Sequence, residues 1–258
     1  MDPDGATGVG MFEALFWGLL SASSLLIGAV IVSRFNLPDK WIGLAMGFGA
    51  GALISAVAYE LVEEAHEVAS AEVLSLGIAL GALVFFIGDR YIERRGGGNR
   101  RQIGDADAGE FDEQDESAGG IVLGTVLDGI PESLVIGGSL VAGGGVSAAM
   151  VAAAFISNLP ESLGGSSGLE RTGVPPRRVM LLWVGIVLIS GLSAMLGYIL
   201  LDGAPPRLGA FLQSFAAGAI LTMLADTMMP EAFKKGGLLV GLFTVFGFTL
   251  AFWLAMAG

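Results

Sequence analysis

Residues 179–201, VMLLWVGIVLISGLSAMLGYILL, run for 23 positions without a charged side chain. A helix rises ~1.5 Å per residue, so a run of this length crosses the ~30 Å hydrocarbon layer of a bilayer. It does not alternate polar and apolar residues, as a membrane-spanning β-strand must. It reads as a transmembrane helix. The same reading applied along the chain gives eight spans, at roughly 11–33, 41–62, 72–91, 119–141, 146–168, 178–201, 207–230 and 237–257.

Composition agrees. The 258 residues are 53% hydrophobic and 15% charged, against about a quarter charged in soluble domains. There is no cysteine, which removes disulfides, thiolate metal sites and cysteine nucleophiles. A single histidine, His66, leaves no His-rich metal site and no Ser-His-Asp triad. A net charge of −12 argues against a nucleic-acid partner, which needs basic patches. The expected class is an all-α polytopic membrane protein, one transmembrane domain over 1–258, with the lipid bilayer around it and no prosthetic group.

Twelve of the 13 lysines and arginines fall in the loops after spans one, three, five and seven; only Arg207 lies opposite. The positive-inside rule makes that face cytoplasmic and puts both termini outside, in a multi-pass protein of the plasma membrane. Trp41, Trp183 and Tyr91 near inner ends, and Tyr59, Tyr198 and Trp253 near outer ends, fit interfacial aromatic belts. The opening MDPDGATGVG carries no positive charge, so the first span is expected to be retained rather than cleaved. The long loop at 92–118, basic and then acidic without apolar anchors, is expected to be a disordered cytosolic linker.

Two internal likenesses follow. FGAGALISAVAYELVEEA (48–65) aligns without gaps on FAAGAILTMLADTMMPEA (215–232), five spans later and therefore running the opposite way. Spans one to three and six to eight would then form an inverted repeat around a central pair, spans four and five. That pair shares a phrase: Pro131-Glu132-Ser133-Leu134 in LDGIPESL and Pro160-Glu161-Ser162-Leu163 in SNLPESL. Each proline removes a backbone donor and leaves carbonyls one turn earlier to find other partners, such as water or an ion.

Asp128 and Glu132 share a helix face, as do Ser157 and Glu161, and Asn158 lies three residues before Glu161. Each charged residue at the bilayer centre costs ~2.5–3.5 kcal/mol. No lysine or arginine occurs between Arg101 and Arg171, so protons or a bound cation must balance Asp128, Glu132 and Glu161. The competing reading keeps these acids protonated as hydrogen-bond glue between helices. Glu60, Glu63, Glu64 and Glu67 at the outer end of span two, and Asp226 and Glu231 toward the inner end of span seven, extend an acidic path, with Glu60, Glu64, Asp226 and Glu231 its candidate steps. No nucleophile–base constellation points to an enzyme. Gly47-x-x-x-Gly51 permits close helix contact, either inside the protein or in a homodimer.

At these residues the chain resembles the ZIP (Zrt/Irt-like) family of divalent metal transporters over nearly its whole length. The likeness rests on eight spans, the long loop after the third, and Pro-Glu motifs in the fourth and fifth. The family's His-Asn-x-Pro-Glu-Gly is here Asp128-Gly129-Ile130-Pro131-Glu132-Ser133, and its fifth-span motif is here Ser157-Asn158-Leu159-Pro160-Glu161. The resemblance implies that Glu132 and Glu161 bridge or flank a transported metal, with Asp128, Ser157 and Asn158 as neighbouring ligands. The family histidine is replaced by Asp128 and its asparagine by Gly129. Span six offers no glutamate for a second ion, so one metal position is expected. An oxygen-only ligand set suits Mn²⁺, Mg²⁺ or Ca²⁺, whereas kinship points to zinc, iron or manganese. The expected function is import of a divalent cation by alternating access; the alternative is a degenerate relative that senses ions or assembles with partners without transporting.

Overall fold

The computed structural model describes residues 3–35, 37–94, 114–141 and 146–257, and every regular element among them is a helix. In chain order these are α1 (Pro3–Ala22), α2 (Ser24–Arg34), α3 (Asp39–Ala56), a π-helical segment (Val57–Glu63), α4 (Glu64–Val68), α5 (Ala71–Arg94), α6 (Gln114–Ser139) and α7 (Ala148–Arg171). They continue as α8 (Pro176–Leu201), α9 (Pro206–Met223), a second π-helical segment (Leu224–Met228), α10 (Met229–Gly236), a 3₁₀ turn (Gly237–Leu239) and α11 (Val240–Ala257).

Among the described residues five stretches, rather than eight, are long and apolar enough to cross a membrane: Gly8–Arg34, Asp39–Val68, Ala71–Ile92, Pro176–Leu201 and Pro206–Met256. The last is 51 residues long and holds a turn, where Gly237 takes a φ of +69° that suits glycine. Helices α6 and α7 match the expected fourth and fifth spans in position but fall outside the five. Both are rich in glycine and serine and carry Asp128, Glu132 and Glu161, which dilutes their apolar character.

Other expectations change in detail. The first span is two helices, broken at Ser23. The stretch expected as a linker over 92–118 is helical at both ends, since α5 reaches Arg94 and α6 begins at Gln114; residues 95–113 lie outside the described residues. Trp183 is no interfacial anchor. It is 1% exposed, with its indole Nε1 donating to Ser166 Oγ at 2.8 Å, so its ring belongs to the α7–α8 contact. Pro131 and Pro160 lie inside continuous helices; departures from α-geometry fall instead at the two π-helical segments.

Glycines set the helix contacts. A Cβ at Gly51 would overlap the Thr244 carbonyl of α11, and Gly47 faces Val240, so the Gly47–Gly51 stripe is consumed inside the protein. A Cβ at Gly218 of α9 would likewise overlap the Ile78 carbonyl of α5, and one at Gly137 of α6 the Ala194 carbonyl of α8. Small residues let membrane helices approach this closely. The largest buried cluster joins α3, its π-helical extension, α6, α7 and α9, with Leu61, Ile136 and Met150 fully enclosed.

Candidate functional site

Four parts of the fold build the site. On α6, Thr125, Asp128 and Glu132 recur at three and four residues and so share one face. On α7, Ser157, Glu161, Gly164 and Gly165 do the same. From α9 through α10, Met223, Thr227, Met228 and Glu231 complete the wall, with Met46 of α3. Together they line a cavity of ≈ 40 Å³, room for a few waters or one partly dehydrated ion.

Asp128 and Glu132 are each 4% exposed and Ser157 3%, while Glu161 is half-buried. The Ser157 hydroxyl donates to the Ala154 carbonyl at 3.0 Å, which leaves its lone pairs to accept. Oδ1 of Asp128, Oε1 of Glu161 and Oγ1 of Thr227 are buried and make no hydrogen bond. Buried polar atoms in that state ordinarily signal water or an ion. Among the described residues no lysine or arginine lines the cavity. Nor, among them, is any group of three or more Asp, Glu and His side chains arranged to hold a metal ion as it stands.

Of the residues expected at the site, Asp128, Glu132, Ser157 and Glu161 come together here. Asn158 does not line the cavity. Its Nδ2 donates to the Ser21 carbonyl at 3.3 Å, beside the break between α1 and α2. Of the path residues only Glu231 reaches the cavity, where Lys235 Nζ sits 2.6 Å from its Oε1. Asp226 is half-buried nearby in the chain but is not a wall residue. Glu60 and Glu64 are placed elsewhere: Ser147 Oγ donates to Glu60 Oε2 at the start of α7, and Gln213 Nε2 donates to Glu64 Oε2 at 3.3 Å. His66 is exposed.

Sequence reasoning missed Thr125, Thr227, Met46, Met223 and Met228. Two were within reach, since Thr125 lies three residues before Asp128 and Thr227 four before Glu231. The methionines gave no signal, because a buried thioether is ordinarily core packing. A larger cavity of ≈ 250 Å³ lies between α5, α6, α8 and α9, but apolar side chains such as Val84, Pro131, Leu134 and Phe215 dominate its wall and it holds no carboxylate.

No family model matches the chain. Among curated proteins, it is 29% identical over 220 residues to one from Arabidopsis thaliana named "Putative zinc transporter". The match takes in 84% of this chain and 34% of the relative, so the chain spans about a third of the relative's length.

Proposed function

We propose that this chain is a ZIP-like carrier that imports a divalent metal ion, of the zinc, iron or manganese class, by alternating access. Asp128 and Glu132 of α6 and Ser157 and Glu161 of α7 hold the ion at mid-depth. The observation that carries the reading is the convergence of three acids from two helices on one small cavity without a lysine or arginine among its described walls. The ion draws the carboxylates together on binding and supplies the missing positive charge. Asn158 serves as a positioning residue, tying α7 to the broken first span through Ser21. The name of the plant relative supports zinc over magnesium or calcium.

The finer architecture belongs to the same proposal: eight spans in a plasma membrane, both termini outside, and halves related as an inverted repeat. Two features support the repeat beyond sequence. The π-helical segments begin at Val57 and Leu224, which the internal alignment sets opposite one another. Gly51 and Gly218 are aligned too, and each makes the tight contact with a helix of the other half. The basic end is also coherent, since Arg171 pairs with Asp39 at 3.0 Å across the first turn of α3 and the last of α7.

The test is zinc influx into proteoliposomes loaded with a metal-sensitive dye. Glu132→Gln and Glu161→Gln should each abolish influx while the protein still inserts and folds. An inert wild type, tested with zinc, iron and manganese, would overturn the carrier reading. One observation favours a second reading, a relative that binds ions without moving them: no three acids stand ready for a metal among the described residues. Saturable zinc binding without influx would select it.

A further inference from the structure

We infer that Lys235 is a tethered cation that occupies Glu231 while the cavity is metal-free and yields it to the passing divalent ion. This rests on the carrier reading and adds to it a displacement step at the cavity's basic end.

The geometry is specific. Lys235 Nζ lies 2.6 Å from Glu231 Oε1, with the two side chains only 14% and 28% exposed. The pair also lies against α7: a Cβ at Gly164 would sit 3.2 Å from Nζ and 3.4 Å from Oε1. Gly164 and Glu231 both line the cavity, and Gly164 follows Glu161 by three residues. The ammonium therefore lies between α10 and α7, beside the two wall residues Gly164 and Glu231 without itself lining the cavity, and a side chain at position 164 would crowd it. The Arg171–Asp39 pair, by contrast, is 52% and 46% exposed, a solvated surface contact.

Charge decides who wins Glu231. A dication at the same distance gains about twice the Coulomb energy of an ammonium, and the shielded site weakens neither by full water screening. A tethered lysine has the higher local concentration, so monovalent ions from solution do not displace it. A divalent ion arriving from Glu161 does. Lys235 thus discriminates by valence and closes the exit behind the ion.

Acylation footprinting tests this on the wild-type protein in nanodiscs, with acetic anhydride as probe, mass spectrometry as readout and exposed Lys40 as internal reference. Without metal, Lys235 should acylate far more slowly than Lys40; saturating zinc should bring the two rates together, and sodium at matched ionic strength should not. Glu231→Gln should free Lys235 without metal. Lys235→Met should tighten zinc binding about tenfold in calorimetry, since a competing charge is removed; a lysine that only supports the helix would leave binding unchanged. Zinc that binds without altering Lys235 acylation overturns the displacement step and leaves the carrier reading intact. Zinc that does not bind the wild type at all removes the carrier reading and this step with it.

Discussion

Glu132→Gln separates a metal site from hydrogen-bond glue, because the two readings give opposite signs. Glu132 is 4% exposed and shares its cavity with Asp128 and Glu161. A charged residue at that depth costs about 2.5–3.5 kcal/mol, and glutamine keeps the shape without the charge. The metal-free variant should therefore be more stable by up to that amount. At about 2–4 °C per kcal/mol for a chain of this size, its midpoint should rise by up to about 5–14 °C. Zinc at a hundredfold excess over its dissociation constant stabilises the wild type by about 2.7 kcal/mol, a shift of similar size that the variant should lose. Adding zinc thus closes most or all of the gap between the two proteins. Thermal unfolding of the solubilised protein, followed by tryptophan fluorescence, reads both shifts, since Trp183 is buried against α7 and reports loss of the fold. If Glu132 acts as glue, the metal-free variant unfolds at a lower temperature and zinc shifts both proteins equally. That result would refute the reasoning.

Gly137→Ala should destabilise by about 1–3 kcal/mol, because its methyl overlaps the Ala194 carbonyl and must push α6 from α8; Gly185→Ala, with open space around it, should be neutral or stabilising in the same unfolding assay. Acidification should weaken zinc influx, because protons compete with the metal for the cavity carboxylates; influx that is constant between about pH 7.5 and 5.5 would count against carboxylate ligation. The absence of cysteine makes labelling clean: Thr227→Cys should react with an impermeant maleimide from the basic side only and be protected by zinc, whereas Leu61→Cys, fully buried, should react from neither side.

The sequence made the helices and the acids legible for one reason. Charge in an apolar run is rare enough that Asp128, Glu132 and Glu161 stand out without any structure. Their convergence with Ser157 also follows from spacing alone, once α6 and α7 are placed side by side. Asn158 shows where that logic stops: spacing put it beside Glu161, but a side chain three residues earlier can turn toward another helix, and the Ser21 carbonyl took it. Trp183 fails for a related reason. Position near a helix end suggests an interface, yet a helix end buried among neighbours encloses its aromatic. The π-helical segments are written in no residue type, and only the repeat alignment hints that two places deserve equal geometry.

The two ends of the site differ in a way that bears on mechanism. Toward the basic end, Glu161, Gly164, Thr227 and Glu231 carry the cavity wall outward from the central acids. Leu61, Ile136 and Met150 belong to one buried apolar cluster and do not line the cavity. Glu60 accepts from Ser147, whose hydroxyl also accepts from Met150 N as the N-cap of α7. In the proposed carrier, an ion entering from the Glu60 side would have to displace the Ser147 hydroxyl from Glu60. That loss is about 1.5–3 kcal/mol for a hydrogen bond to a carboxylate. Within the proposed carrier, Glu60 is placed where an entering cation would compensate for the lost Ser147 contact.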